Sequence, residues 1–143
     1  RDQVEARTIE LMELVELPET LAGHRPRQLS GGQCQRVGIA RALAMKPKVL
    51  IADEITSALD VTIQAQILDL LERIREKDNL TIVYISHDLA VVRMICQRVA
   101  VFQAGRLVEI GDVADVLTNP KEEYTRTLIS SAPQFNIAQE SSL

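Results

Sequence analysis

Residues 49–54 of the chain are Val-Leu-Ile-Ala-Asp-Glu, an unbroken apolar run that ends in two acids. Such a run is typical of a strand that is buried on both faces of a parallel sheet. Residues 80–85 form a second run of this kind, and the residues between the two runs carry a helical stripe of leucine and isoleucine. A strand, a helix and a strand in this order predict a βαβ unit, and therefore an α/β fold with a parallel-sheet core.

Further helices and a hairpin are predicted around this unit. Residues 2–16 and 30–45 have helical patterns that end near Pro18 and Pro47, and residues 17–28 between them are predicted to form a loop. Beyond the unit, the sequence predicts a helix over 88–95, a hairpin of strands 98–103 and 106–110, short helices over 112–118 and 121–131, and a polar tail from Pro133.

Composition excludes several classes of function. The 143 residues are 46% hydrophobic and 25% charged, which is the balance of a globular domain. No apolar run approaches the ~18 residues that a membrane span needs, and the acidic, polar N-terminus is unlike a secretory signal. The net charge of −4 argues against a general nucleic-acid binder. Two cysteines are too few for a disulfide framework, so a reducing, cytosolic location is expected.

Charge is unevenly distributed along the first third of the chain. Residues 1–24 contain six acids and two bases, whereas residues 25–48 contain six bases and no acid. Two interpretations remain open on charge alone: a solvated helix face, or a surface that meets an anion.

A serine and two glycines open the basic helix, in the sequence Leu29-Ser-Gly-Gly-Gln33. A helix N-terminus presents unpaired N–H groups and partial positive charge, and glycine lets an anion approach the backbone closely. The alternative is a capping box between Ser30 and Gln33, which would only start the helix. Because each glycine costs a helix on the order of 1 kcal/mol relative to alanine, the pair favours a phosphate site.

Polar residues also follow both predicted strands. Asp53 and Glu54 end the first strand, and His87 comes soon after the second. Since ligands of open α/β sheets bind beyond the carboxyl ends of the strands, Asp53 is expected to hold Mg²⁺ on nucleotide phosphates and Glu54 to orient or deprotonate water. The alternative is that both are ordinary polar residues at the end of a strand. His87 is expected to bond a phosphate or water at the same edge, or else to be an ordinary strand-end residue. Asp60 is a plausible helix N-cap.

Four of these segments together resemble the motifs of ABC-transporter ATPase subunits. Leu29–Gln33 resembles the ABC signature, Val49–Glu54 the Walker B strand, Ser57–Asp60 the D-loop, and His87 the switch histidine. They stand in the family's order and the resemblance extends from residue 2 to about residue 133. It implies the C-terminal portion of a P-loop NTPase ABC ATPase domain, with a parallel-sheet core and part of the helical subdomain.

The resemblance also divides the chain into three segments. Residues 1–46 would be the end of the helical subdomain with the signature helix, residues 47–111 a portion of the ATPase core, and residues 112–143 C-terminal helices and the polar tail. Ser86–Val92 and Tyr124–Leu128, followed by Pro133, are most similar to the bacterial oligopeptide, dipeptide and nickel importers.

Three features depart from the family pattern. Ile55 stands where the family usually has proline, and Cys34 where a polar residue is usual. No glycine of the chain precedes a lysine, so the P-loop sequence is missing. Because Arg1 also falls inside a helical pattern, we expect these residues to be part of a longer protein, and to bind ATP poorly and not hydrolyse it when isolated.

The resemblance implies a site shared between two ATPase domains that face each other head to tail. One set of residues would contact the γ-phosphate of ATP held by the partner domain, namely Ser30, Gly31, Gly32 and Gln33. Asp60 would couple the two sites across the interface.

Within its own site, Asp53 would support Mg²⁺, Glu54 would act as general base on water, and His87 would hold the γ-phosphate or the water. The implied cofactors are ATP and Mg²⁺. The implied partners are a second ABC ATPase domain, transmembrane permease subunits and, indirectly, a solute-binding protein, with no nucleic acid. The implied function is to power import of peptides or similar solutes from the cytoplasmic face of the inner membrane, as a peripheral subunit.

Two rival interpretations remain. A non-transport ABC ATPase of the DNA-repair or chromosome type would carry long coiled coils between its motifs, whereas here Gln33 lies only 20 residues before Asp53 and no heptad array is visible. A non-catalytic interaction fragment would have no need of Glu54 and His87. A P-loop encoded upstream in the same reading frame would support the ATPase.

Overall fold

The structure, a computed structural model, describes residues 2–132, which form two compact units that divide after Ile85. The described part of the first unit contains α1 (Asp2–Leu14), 3-10 turns at Glu19–Leu21 and Pro26–Gln28, α2 (Gly31–Leu43), β1 (Val49–Asp53), α3 (Val61–Asp78) and β2 (Thr81–Ile85). That of the second unit contains α4 (Leu89–Ile95), β3 (Arg98–Gln103), β4 (Arg106–Asp112), α5 (Val113–Thr118) and α6 (Glu123–Ser131). Among residues 2–132, no helix is both long and apolar enough to cross a membrane.

The predicted βαβ unit is confirmed. β1 and β2 pair in parallel, from Val49 opposite Thr81 to Asp53 opposite Ile85, and α3 connects them. Asp60 is the N-cap of α3, and Asn79 ends the helix in the left-handed conformation that this residue type tolerates. The predicted apolar stripe of α3 enters the core, where Ile67 is fully buried.

The first unit has one hydrophobic core, which lies between the helices and one face of the sheet. It joins residues of α1, α2 and α3 with three that lie in the segments between elements: Leu11, Met12, Val15, Leu17, Ile39, Leu43, Ile67, Leu70, Leu71, Ile74 and Leu80. The inward residues of the strands, such as Leu50 and Ile82, pack against this cluster.

The prediction that β1 is buried on both faces is wrong for this chain. Val49 and Ile51 are 54% and 66% exposed, and their neighbours Val83 and Ile85 on β2 are 46% and 47% exposed. Alternate residues of a strand point to opposite faces, and within residues 2–85 no second layer covers the face that these four share. The apolar run therefore identified the strand correctly but not the number of layers around it.

The stretch predicted as a loop over 17–28 contains the two 3-10 turns. Pro26 occupies the first position of the second turn, where its fixed φ and missing N–H are tolerated. The backbone N–H of Arg25 donates to Oε1 of Gln28 at 2.8 Å, which closes the turn. This turn leads directly into the serine and glycines at the start of α2.

The second unit is built on the predicted hairpin. β3 and β4 are antiparallel, with Gln103 opposite Arg106, and the turn places Ala104 and Gly105 at positive φ. β4 runs to Asp112, two residues beyond the predicted end, and α6 starts at Glu123 rather than at 121. The predicted polar tail from Pro133 lies outside the described residues.

Glu109 of β4 fixes the start of α6 with a buried carboxylate. Its oxygens accept the backbone N–H of Lys121 at 2.9 Å and of Glu122 at 3.2 Å. These hydrogen bonds favour the charged form, with that of Lys121 contributing most, and they hold the pKa of Glu109 below its usual value.

Glu109→Gln is expected to lower the melting temperature at neutral pH and to have little effect in acid. The depressed pKa means that the ionised carboxylate stabilises the fold fully above the usual pKa of glutamate, and that this stabilisation is lost as pH falls through the folded-state value. Thermal melts of both proteins between pH 7 and pH 3 check this; a difference that stays constant with pH would contradict it.

Candidate functional site

The capping box predicted as the alternative at the start of α2 is present. Ser30 Oγ accepts the N–H of Gln33 at 3.2 Å, and Oε1 of Gln33 accepts the N–H of Ser30 at 2.9 Å. The N–H groups of Gly31 and Gly32 belong to the first turn, where an α-helix offers no acceptor of its own. The Ser30 hydroxyl still has its proton to donate. Capping and anion binding are therefore compatible at this helix start.

The two glycines differ in what surrounds them. A Cβ on Gly32 would lie 2.7 Å from Cγ2 of Ile63, whereas a Cβ on Gly31 would lie 3.5 Å from Cδ2 of Leu59. Gly32 is thus required for the close packing of α2 against the start of α3. The expectation that the glycine pair favours a phosphate site therefore loses its support from Gly32, which has a packing reason. Gly31 has room for a side chain and has no such packing reason.

Gly32→Ala is expected to destabilise the protein, because a contact of 2.7 Å with a branched side chain forces α2 and α3 apart. Overpacking of this kind costs ~1–3 kcal/mol, partly offset by the ~1 kcal/mol that alanine gains over glycine in a helix. Gly31→Ala, the matched control, should be neutral or stabilising in urea melts. Adding Ile63→Ala should remove the clash; a Gly32→Ala protein as stable as Gly31→Ala would contradict this packing.

Asp53 and Glu54 lie exposed at the carboxyl end of β1. Glu54 has φ +45°, in the left-handed region that a residue with a Cβ rarely adopts. Its N–H donates to the carbonyl of Ile85 at 2.9 Å, and its own carbonyl accepts the N–H of Ser57 at 3.1 Å and the hydroxyl of Ser57 at 2.9 Å. The turn after β1 is therefore held by three hydrogen bonds around a strained residue, as is common at functional sites.

The residues after Glu54 connect the acid pair to α3. Thr56 is buried and its hydroxyl lies 3.2 Å from the hydroxyl of Tyr84 on β2. Asp60 caps α3, with Oδ1 accepting the N–H of Ile63 at 3.0 Å, as its predicted capping role requires. Because Leu59 and Ile63 also face the glycines of α2, the structure brings the predicted signature segment beside the segment around Asp60.

His87 is exposed and belongs to the second unit, two residues after the end of β2. The chain around it is fixed by Asp88, which accepts the N–H groups of Ala90 at 2.9 Å and Val91 at 3.3 Å, and which donates its own N–H to Ser86 Oγ at 3.0 Å. That His87 shares a sheet edge with the acid pair stays a prediction.

Mg²⁺ prefers oxygen ligands and is usually held by one or two carboxylates together with substrate phosphates. The exposed carboxylate of Asp53 fits this kind of shared site. Across residues 2–132, no cluster of three or more His, Cys, Asp or Glu residues is placed to hold a metal ion.

The first unit contains an ion-pair cluster that the sequence did not predict. Glu16 pairs with Arg36 of α2 at 2.9 Å and with Arg73 of α3 at 2.5 Å. Arg36 is one of the six bases for which an anion-binding surface was one of two interpretations. Its guanidinium instead donates hydrogen bonds to Glu16 and to the carbonyl of Val15. These partners lie 20 and more residues apart in sequence, so charge counting within one segment does not reveal them.

With this geometry established, comparison with known proteins identifies the family. The ABC transporter family model matches residues 1–57. The chain belongs to this family, and its mixed α/β fold is that of part of an ABC ATP-binding domain.

The curated relatives are subunits of import systems. The methionine import ATP-binding protein MetN 1 of Paraburkholderia xenovorans is 54% identical over 140 residues, which are 98% of this chain and 39% of that protein. The oligopeptide transport ATP-binding protein OppD of Mycobacterium tuberculosis is 48% identical over 134 residues, which are 94% of this chain and 22% of that protein. The chain thus spans well under half the length of these relatives.

Solved structures give the same result. CbiO1 from Clostridium perfringens, part of an ABC transporter complex, superposes with a TM-score of 0.73 and 33% identity over 82% of this chain and 47% of that chain. The ATP-binding cassette MJ0796, as a dimer in a post-hydrolysis state bound to ADP and Pi, gives a TM-score of 0.65 with 40% identity over 76% of this chain and 46% of that chain.

Proposed function

We propose that residues 1–143 form the signature, Walker B, D-loop and switch-histidine part of an ATP-hydrolysing subunit of an ABC importer. The observation that supports this most is the identity of 54% with a methionine import ATPase across 98% of the chain. The acid pair at the end of β1 and the capped glycine pair at the start of α2 supply the chemistry. The predicted segments 1–46, 47–111 and 112–143 would be parts of the family's subdomains.

The start of α2 would bind the γ-phosphate of ATP that the partner domain holds. Backbone N–H groups and the positive end of the helix dipole attract an anion at this position. Gly31 leaves the approach open, while Ser30 has a hydroxyl proton to donate and Gln33 keeps the first turn closed through the capping box. Gly32 holds this turn against α3, so that the anion site and Asp60 keep a fixed relation.

The end of β1 would carry out hydrolysis in the protein's own site. Glu54 would accept a proton from the attacking water, which a positioned base accelerates by ~10²–10⁴-fold. Asp53 would hold Mg²⁺, whose charge screens the phosphates when bound. His87 would bond the γ-phosphate or the attacking water. Asp60, at the start of α3, would couple closure of the interface to the neighbouring site.

The partners follow from the same proposal. A second ATPase domain would complete both sites, and transmembrane permease subunits would convert closure and reopening of the dimer into solute movement at the cytoplasmic face of the membrane. A solute-binding protein would deliver the cargo. The higher identity to the methionine importer than to the oligopeptide importer, 54% against 48%, favours methionine or a similar amino acid over peptides as that cargo.

Reconstitution tests this function. The intact subunit would be assembled with its permease in vesicles, and Mg-ATP hydrolysis measured with binding protein loaded with methionine or with an oligopeptide. We expect stimulation by the methionine-loaded form. Stimulation by the peptide-loaded form alone would move the proposal to peptide import, and stimulation by DNA with no response to the permease would favour the chromosome-type ATPase instead.

A further inference from the structure

Glu16, just after α1, joins two helices through one carboxylate. Its Oε2 accepts Nη1 of Arg36 on α2 at 2.9 Å, and its Oε1 accepts Nη2 of Arg73 on α3 at 2.5 Å. Each carboxylate oxygen therefore binds an arginine of a different helix. Both cations pull the pKa of Glu16 below its usual value, chiefly through the hydrogen bond from Arg73, so the carboxylate is charged at neutral pH.

The two helices joined by Glu16 are those that start at the signature segment and at Asp60. They already touch at their starts, where Gly32 leaves no room for a Cβ beside Ile63. Further along, both helices also place side chains in the shared hydrophobic core, and apolar packing of this kind has little directional preference. The ion pairs at Arg36 and Arg73 add a directional attachment along the same two helices, and this favours one angle between them.

Other contacts make this attachment more than a loose surface pair. The side chain of Arg36 is only 13% exposed, and its Nη1 also donates to the carbonyl of Val15 at 2.8 Å. Arg73 is further held by Asp69, with Nε at 3.2 Å from Oδ2. Charges in a network of this kind contribute more than isolated exposed pairs.

The backbone of Glu16 points to a role for the side chain rather than for the turn. Glu16 has φ +56°, a left-handed conformation that glycine adopts without strain and glutamate does not. A turn alone would thus be served better by glycine. The side chain that stands here instead is the one that reaches both arginines.

We propose that Glu16 is a positioning residue that sets the orientation of the α2 N-terminus relative to the segment around Asp60. The inference rests on the proposed function, since the α2 N-terminus matters only if it binds the partner's ATP. Loss of the carboxylate would leave both helices folded and packed in the core but with a less fixed angle between them, and closure of the ATP-bound dimer would need more ATP.

The test uses the intact subunit with Glu54→Gln, so that ATP is bound without turnover. Glu16→Gln removes the charge, and Glu16→Gly removes the side chain while relieving the strained backbone. Glu10→Gln is the matched control, because it breaks an ion pair of 2.6 Å with Arg7 inside α1 rather than one that joins α2 to α3. The readouts are the ATP concentration for half-maximal dimerisation and the melting temperature.

We expect both Glu16 variants to raise that ATP concentration by roughly two- to tenfold, in keeping with the small contributions that partly exposed ion pairs make. Glu16→Gly should raise the ATP concentration although its melting temperature is no lower than that of Glu16→Gln. A raised ATP requirement without a further loss of stability indicates a positioning role. Arg73→Gln should also raise the ATP concentration for half-maximal dimerisation. In the double variant Arg73→Gln with Glu16→Gln, the two effects should add up to less than their sum, because both substitutions remove the same ion pair.

Two results would count against the inference, and they are distinguishable. An ATP requirement unchanged in both Glu16 variants, or changed equally by Glu10→Gln, would overturn the role of Glu16 alone. A parent protein that does not dimerise with ATP would overturn the proposed function, and the role of Glu16 with it.

Discussion

Replacing Glu54 with Gln in the intact subunit is expected to lower the rate of ATP hydrolysis by roughly 10²–10⁴-fold, the contribution of a positioned general base. Glutamine has the size of glutamate but cannot take the proton of the attacking water. The backbone at φ +45° is held by Ile85 and Ser57 through main-chain atoms, so its hydrogen bonds survive the substitution. Dimerisation that depends on ATP should therefore persist. Phosphate release and size-exclusion chromatography measure the two properties.

A matched control for this variant is Glu13→Gln, which makes the same change at an exposed position of α1. It should hydrolyse ATP at the rate of the unmodified subunit. Turnover at that rate by Glu54→Gln would remove Glu54 from the role of general base. Loss of dimerisation together with hydrolysis would show that Glu54 acts in binding rather than in the chemical step.

Gly31→Asp is expected to raise the ATP concentration needed for dimerisation by at least about tenfold, since like charges ~4 Å apart repel by ~4 kcal/mol at an effective dielectric of 20. The carboxylate would stand at the first position of α2, where the γ-phosphate of the partner's ATP is proposed to bind. The site accepts a Cβ, with the nearest atom of Leu59 at 3.5 Å. The substitution therefore tests the anion site and not the packing.

Gly31→Asn separates charge from size, because asparagine has nearly the shape of aspartate and no charge. Gly31→Asn should raise the ATP concentration needed for dimerisation clearly less than Gly31→Asp does. The melting temperature of Gly31→Asp should be unchanged or raised, since an acid at a helix N-terminus is stabilising. Equal losses in both variants would show a steric block, and no loss in either would place the phosphate elsewhere.

Local patterns predicted the elements of this fold well. The apolar run at 49–52, the helical stripe after Asp60 and the Ala104-Gly105 turn each depend on residues close in sequence, and the structure has a strand, a helix and a hairpin there. The cap at Asp60 was predicted for the same reason: a short polar side chain reaches an N–H only three residues away.

Tertiary contacts could not be predicted in this way. Whether Val49 and Ile51 are covered depends on which other segments form a layer, and the pattern within the strand carries no information about them. The packing of Gly32 against Ile63 and the pairing of Glu16 with Arg73 join residues 31 and 57 positions apart. The left-handed backbone of Glu54 could not be predicted either, because a glutamate in the sequence gives no sign of a positive φ.

The most direct test of the central claim is to mix two variants of the intact subunit, at an ATP concentration at which neither variant alone hydrolyses ATP appreciably. The claim is that the signature segment of one domain and Glu54 of the other serve the same ATP. A mixed dimer of Glu54→Gln and Gly31→Asp subunits then contains one site with an intact base and an intact signature. We predict that hydrolysis reappears on mixing, well above that of either variant alone. If both segments serve the ATP of their own subunit, the mixture stays as inactive as its components, and that result would contradict the account.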